Sequence, residues 1–180
     1  TAGLLNVVKQ GRHRYHRIAS PAVAQMMESI MQVASDMEPT RSKLVVGPRD
    51  KALRAGRTCY NHLAGRLGVA IADALVAQGH VELADDAGLV TDDGVAFLGG
   101  VGMDVEALTP SRGKRSRRVL CRPCLDWSER RPHLAGAVGT ALCAHSFTNG
   151  WIRRIDDTRA VAITPKGRRV FQEKLRMRLD

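Results

Sequence analysis

Small and apolar residues dominate two stretches of the chain that begin with the same four letters. The first is HLAGRLGVAIADALVAQG at residues 62–79, and the second is HLAGAVGTALCAHSFTNG at residues 133–150. We interpret both as helices, repeated at an offset of 71 residues. Their small residues predict that the two helices approach each other closely; these are Ala64, Gly65, Gly68, Ala135, Gly136 and Gly139.

A second shared pattern follows each predicted helix. The segments HVEL and WIRRI are typical of strands, and LVTDDG (residues 89–94) and AITPKG (residues 162–167) then share a Thr and a Gly. Thr91 and Thr164 are suitable N-caps for a closing helix. Each copy therefore has the order helix, strand, turn, strand, helix, as in the second half of a winged-helix unit. The pair predicts a duplicated winged-helix-like domain.

The first forty residues have a different pattern. GLLNVVKQGRHRYHRIAS, residues 3–20, predicts two strands joined at Gln10, Gly11 and Arg12. An amphipathic helix is predicted next, with Ser20 as its N-cap. A short hairpin cannot bury the apolar face of this helix, so we expect a second chain or the later domain to cover it. The face is rich in methionine and comprises Val23, Met26, Met27, Ile30 and Met37.

Composition limits the class of protein. The chain has 180 residues, of which 44% are hydrophobic, enough for one ordinary domain or two small ones. No apolar run approaches the roughly 18–20 residues of a membrane span, and TAGLLNVVKQ lacks the features of a signal peptide. We therefore expect a cytoplasmic protein with no membrane partner. The four cysteines are too few for a disulfide scaffold and are expected to be reduced.

The chain is strongly basic, with a net charge of +10. This balance favours a polyanionic partner, with nucleic acid as the first candidate. The predicted hairpin is cationic and has no acidic residue, so we expect it to contact a phosphate backbone. The alternative is a solvated hairpin at the edge of the fold. The residues predicted to contact DNA are Lys9, Arg12, His13, Arg14, Tyr15 and Arg17.

The basic GRHRYHRIAS hairpin followed by PAVAQMMESI resembles the wing and final dimerisation helix of the ArsR/SmtB family of winged-helix repressors. The resemblance covers about the first forty residues, and RPCLDWSERRPHLAG resembles the long C-terminal extension of one subgroup. It implies a homodimeric transcriptional repressor that binds a double-stranded DNA operator. The helices that precede the wing in that family, including the recognition helix, do not precede it here. We therefore expect Thr1 to be the first retained residue of a longer protein.

These observations predict an α+β fold in two parts. Residues 1–40 would form the wing hairpin and dimerisation helix, and residues 41–50 a linker. Residues 51–180 would form a C-terminal effector domain made of two pseudo-repeats, at about 51–109 and 110–180. The alternative function is a nucleic-acid or protein interaction module that senses no effector.

An Arg-x-Cys unit stands upstream of each HLAG sequence. The first comprises Arg57 and Cys59, and the second comprises Arg122 and Cys124, with Asp126 close behind. Related elements could bring both thiols together, and neighbouring guanidinium groups would lower their pKa. Such a pair would sense a soft metal, a metalloid, an oxidant or a small molecule. The alternative is that each Cys packs as a small apolar residue and each Arg pairs with a carboxylate such as Asp126.

Cys121 and Cys124 also have the C-x-x-C spacing of metal ligands. A closed zinc site needs two more ligands, for which Cys143 and His145 or His133 are available. No Ser-His-Asp, His-Glu-x-x-His or paired-carboxylate pattern is present, so the sequence does not predict an enzyme.

Overall fold

The chain forms two compact units, Thr1–Lys43 and Leu44–Asp180. The structure is a computed structural model that describes residues 2–10, 13–36, 51–84, 87–108 and 120–179. Its described part is α+β, with six α-helices and small antiparallel sheets of two strands each. This is the winged-helix-like class that the sequence predicts.

The N-terminal unit consists of a hairpin and a helix. Strands β1 (Leu5–Gln10) and β2 (His13–Ile18) pair antiparallel, with Gln10 opposite His13. Helix α1 follows at Pro21–Asp36. The Ser20 hydroxyl accepts a hydrogen bond from the backbone N–H of Val23 at 3.3 Å, which confirms the predicted N-cap. The predicted linker at residues 41–50 lies outside the described residues.

The C-terminal unit contains two copies of one series of elements. A short helix, α2 (Lys51–Ala55), precedes them. We call the series from β3 to α4 the first repeat: β3 (Arg57–Cys59), β4 (His62–Ala64), α3 (Gly65–Ala77), β5 (Val81–Leu83), β6 (Gly88–Val90) and α4 (Asp92–Gly100). A 3-10 turn at Glu106–Leu108 follows it. The second repeat comprises β7 (Arg122–Asp126), β8 (Arg131–Ala135), α5 (Gly136–Thr148), β9 (Ile152–Arg154), β10 (Val161–Ile163) and α6 (Pro165–Glu173).

The shared Thr-x-x-Gly sequence begins the last helix of each repeat in the same way. Thr91 accepts a hydrogen bond from Gly94 N–H, and Thr164 accepts one from Gly167 N–H, both at 3.0 Å. Both predicted N-caps are therefore confirmed. Glycine is required at the fourth position, because a Cβ there would clash with the carbonyl oxygen of His80 in the first repeat and of Trp151 in the second.

The two repeats are intertwined in their backbone pairing. Arg57 of the first repeat forms a β-bridge with Ala160 of the second, and Gly88 of the first bridges Cys121, just before the second. Helix α3 packs against strand β8, and helix α5 packs against strand β4. Each repeat therefore closes its core with elements of the other. The shared core includes Ile71, Leu75, Leu98, Val138, Ile152 and Phe171.

The predicted packing of two HLAG helices is wrong in one respect. His62–Ala64 and the equivalent His-Leu-Ala of the second repeat are strands, and each helix begins at the following glycine. Gly65 and Gly136 have φ values of +73° and +81°, a conformation that turns the chain from strand into helix and that favours glycine. Glycine is required at position 68 by its own repeat, because a Cβ there would clash with the carbonyl oxygen of Leu63; the Cβ of His133 in the other repeat would lie 3.4 Å away, an ordinary contact.

Candidate functional site

Two β-hairpins bring four potential metal ligands together where the repeats meet. In the first hairpin Cys59 pairs with His62 across β3 and β4, and in the second Cys124 pairs with His133 across β7 and β8. One sulfur or ring nitrogen from each of the four residues lies within 4.8 Å of all the others. We call this group the Cys/His cluster. Cys59 is half-buried and the other three residues are buried.

The two imidazole rings of the cluster approach each other at the same ring nitrogen, Nε2. Nε2 of His62 lies 3.1 Å from Nε2 of His133, and the ring centroids are 5.0 Å apart. The other nitrogens face polar groups: Nδ1 of His62 lies 3.2 Å from Oδ1 of Asn61, and Nδ1 of His133 lies 3.3 Å from Oδ2 of Asp126. Asn61 and Asp126 occupy equivalent positions, two residues after the cysteine of each repeat. Both rings are therefore held with Nε2 directed into the cluster.

Asp126 connects the cluster to the junction of the repeats. Its carboxylate is fully buried and accepts hydrogen bonds from Nη2 of Arg57 at 2.8 Å and from the hydroxyl of Ser128 at 2.7 Å. The other oxygen accepts from the backbone N–H of Gly65 at 2.6 Å. Gly65 opens helix α3, which has no side-chain cap of its own. A carboxylate of the second repeat therefore caps a helix of the first.

Arg57 is buried beneath the second hairpin. Its side chain is 2% exposed, and the charge is balanced by Asp126. Nη1 donates to the carbonyl of Leu53 and to the hydroxyl of Ser128, both at 3.1 Å. The guanidinium also lies 5.3 Å from the centre of the Trp127 ring, a cation–π contact. Arg57 therefore contacts Asp126, and Asp126 in turn contacts His133 of the cluster.

The pKa values of the cluster reflect these contacts. The hydrogen bond with Cys124 lowers the pKa of the Cys59 thiol well below its usual value; burial opposes this, and His133 and His62 lower it further. Burial by itself would lower the pKa of His133, but Asp126 and Cys59 raise it. Burial by itself would raise the pKa of Asp126, but His133, Gly65 and the other donors hold it below its usual range. The site thus favours a thiolate beside an imidazolium.

Two thiols and two imidazoles at this spacing support a limited set of reactions. They are the donor atoms that borderline and soft metal ions prefer. A neighbouring pair of thiols is also able to form a disulfide with an oxidant. In the described part of the chain, no other group of three or more Cys, His, Asp or Glu side chains converges in this way.

The effector residues predicted from the sequence are Arg57, Cys59, Arg122, Cys124 and Asp126. Cys59 and Cys124 lie in the cluster, with Asp126 and Arg57 beside it. Arg122 has its Nη1 3.5 Å from the carbonyl oxygen of Pro123. Cys121 lies in the apolar core, and so does Cys143, which is 5% exposed. Burial raises the pKa of both thiols to about 11.

The sequence analysis names His133 only as one possible further ligand for Cys121 and Cys124, and it does not predict that His62 and His133 join Cys59 and Cys124. The repeated HLAG sequence placed both histidines in equivalent positions, which was a usable signal. It was obscured because Cys59 and His62 are three residues apart whereas Cys124 and His133 are nine apart. The longer second hairpin accounts for this difference: its strands have five residues each, against three in the first.

The predicted DNA-contacting and dimerisation residues lie in the N-terminal unit. Arg12 and Met37 are outside the described residues. Arg14 is exposed on strand β2, and Lys9, His13, Tyr15 and Arg17 occupy positions in the hairpin strands. On helix α1, Val23 is half-buried. Met26, Met27 and Ile30 are 42%, 44% and 60% exposed.

A curated relative resembles almost the whole chain. It is the uncharacterized HTH-type transcriptional regulator YdfF of Bacillus subtilis (strain 168), 38% identical over 178 residues. The similarity covers 99% of this chain and 76% of that protein. This chain belongs to the HTH-type transcriptional regulators. The Cys/His cluster is thus a feature of a transcriptional regulator. No family model and no solved structure matches the sequence.

Among the described residues, no helix combines the length and the apolar character that crossing a bilayer requires.

Proposed function

We propose that the protein is a DNA-binding repressor of the ArsR type, homodimeric, whose C-terminal unit senses an effector at the Cys/His cluster. The observation that carries the sensing role is the convergence of Cys59 and Cys124 from different repeats into one site. The relative supports the regulatory class, because it is named an HTH-type transcriptional regulator. DNA binding is the activity that such regulators require.

The wing hairpin, residues 5–18, is the proposed phosphate-contacting element. Its two strands are paired at every position from Leu5–Ile18 to Gln10–His13, so they form a regular antiparallel ribbon. Lys9 lies opposite Arg14 in the register, one position before the last described pair, Gln10 and His13. Contacts with phosphates supply affinity without sequence preference and weaken as salt rises.

Helix α1 is the proposed dimer contact. Four large apolar side chains of this helix are 42–60% exposed: Met26, Met27, Ile30 and Val33. A second copy of the chain would present the same apolar side chains. If the two helices packed about a two-fold axis, each would cover the apolar side chains of the other. Full burial of an exposed side chain of this size contributes about 1.5–3 kcal/mol, so burying the exposed half of four such side chains from each copy would contribute about 6–12 kcal/mol to a dimer.

Operator binding by the full-length protein tests the DNA-binding part of this proposal. A DNA fragment selected from a random pool would be titrated by fluorescence anisotropy at several salt concentrations. Replacing Arg12, Arg14 and Arg17 together by Ala should weaken binding to all sequences. It should also reduce the salt slope by up to about 3 units, near 0.9 per lost phosphate contact.

A triple variant of exposed arginines in the C-terminal unit is the matched control for loss of charge. The control residues are Arg66, Arg153 and Arg159. It should keep the salt slope within about one unit of wild type. An unchanged slope in the wing variant, or an equal loss in both variants, would show that the hairpin does not contact the phosphates.

A further inference from the structure

We propose that Cys59, His62, Cys124 and His133 bind one Zn²⁺ ion, which joins the two repeats as a four-ligand metal centre. The inference deepens the proposed effector site by naming its ligand, but it does not depend on DNA binding. Cys₂His₂ is a donor set typical of structural zinc sites. One Cys and one His come from each repeat, so the ion would be held equally by both.

The distances in the cluster suit a tetrahedral zinc ion. Zinc lies about 2.0–2.1 Å from histidine nitrogens and about 2.3 Å from cysteine sulfurs. Tetrahedral angles then separate the two nitrogens by about 3.3 Å and the two sulfurs by about 3.8 Å. The observed Nε2–Nε2 distance is 3.1 Å, and all four donor atoms lie within 4.8 Å of one another. The ion therefore fits with only small side-chain movements.

The surroundings of the cluster already fix the histidine orientation that zinc requires. Metal-bound histidines usually direct their second ring nitrogen at a carboxylate, an amide oxygen or water. Here Asp126 faces Nδ1 of His133 at 3.3 Å, and Asn61 faces Nδ1 of His62 at 3.2 Å. Both Nε2 atoms are consequently left to face the same point. Asp126 and Asn61 are positioning residues, because they act on the ion only through the rings.

The position of the site indicates what the ion does. Four protein ligands complete a tetrahedral shell and leave no position for a substrate, which favours a structural or regulatory metal over a catalytic one. The four ligands lie on the two hairpins. The second strand of each hairpin, β4 or β8, packs against a helix of the opposite repeat. Binding would therefore hold the junction closed, and metal loss would loosen it. Half-buried Cys59 gives the ion its route to solvent.

Cobalt substitution tests the site directly. The purified full-length protein would be stripped of metal under reducing conditions and titrated with Co²⁺. We expect one equivalent to produce thiolate-to-cobalt charge transfer in the near ultraviolet and the intense visible bands of tetrahedral Co²⁺. Stoichiometric Zn²⁺ should displace it. Cys59→Ser and Cys124→Ser should each reduce the charge-transfer band and weaken binding.

Two further variants separate metal binding from folding. Cys143→Ala removes a buried thiol outside the cluster and should keep the full cobalt spectrum. Asn61→Ala changes an exposed residue. It should weaken zinc binding by about 10–100-fold, with the four-ligand spectrum and the thermal stability of the metal-free protein unchanged.

The proposal fails if wild type binds no stoichiometric metal, or if Cys59→Ser and Cys124→Ser leave the spectrum unchanged. The proposal would also be overturned if the wild-type protein bound no Zn²⁺ but formed a Cys59–Cys124 disulfide on mild oxidation. That last result would leave effector sensing by the thiol pair intact, so failure of the zinc site and failure of the proposed function are distinguishable.

Discussion

Removing Asp126 from its buried contact with Arg57 should destabilise the C-terminal unit strongly. Asp126→Ala leaves the Arg57 charge without its partner in a site where both side chains are at most 2% exposed. Breaking a buried ion pair in this way typically costs about 3–5 kcal/mol. The backbone N–H of Gly65 would also lose its acceptor. We expect the free energy of unfolding to fall by at least about 3 kcal/mol.

Urea unfolding followed by tryptophan fluorescence measures this effect. Both tryptophans, Trp127 and Trp151, lie in the C-terminal unit, so the signal reports that unit alone. A chelator would be present so that metal binding does not contribute. Asp73→Ala is a matched control, because Asp73 pairs with Arg131 at 2.7 Å but the two side chains are 41% and 58% exposed. It should cost no more than about 1 kcal/mol. Equal losses in the two variants would refute the reasoning.

Three further predictions concern packing, thiol reactivity and assembly. Gly68→Ala should lower the free energy of unfolding by about 1–3 kcal/mol in the same assay, because its Cβ would clash with a carbonyl oxygen; Gly99→Ala, with nothing within 4 Å, should not. In metal-free protein at neutral pH, iodoacetamide should alkylate Cys59 before Cys143, because burial raises the pKa of the Cys143 thiol to about 11 whereas the pKa of Cys59 is lowered. Peptide mass spectrometry measures the order of alkylation, and the reverse order would contradict this prediction. Met27→Asp should produce monomers in sedimentation velocity, and an intact dimer would show that this stripe does not hold the chains together.

Local signals made most of the fold predictable from the sequence. The strand pair of the wing hairpin, the Ser20 cap and the two Thr-x-x-Gly caps each depend on residues close in the sequence, and the structure has all of them. The internal repeat also predicted one contact between residues that are far apart in the sequence. It suggested that Cys59 and Cys124 meet, because equivalent elements of a duplication tend to pack about a common axis.

Features set by register and backbone conformation were not predictable in this way. Strands β3 and β4 have three residues each, too few to show an alternating pattern, so the sequence predicts a helix over His62–Ala64 where the structure has a strand. The turn from strand to helix depends on the positive φ of Gly65, which the sequence alone does not reveal. The role of His62 depends on its pairing with Cys59 across the hairpin. Cys121 has suitable spacing from Cys124 but lies in the apolar core.

Operator affinity in the presence and absence of zinc tests the central claim most directly. Full-length wild-type protein and Cys124→Ser would be titrated onto the same selected DNA, each metal-free and with stoichiometric Zn²⁺, at one salt concentration. The account predicts that zinc changes the wild-type affinity by about 5–150-fold, the usual range of coupling between two sites, and leaves Cys124→Ser unchanged. Equal wild-type affinity in both states, under conditions where zinc is bound, would contradict effector sensing at the Cys/His cluster.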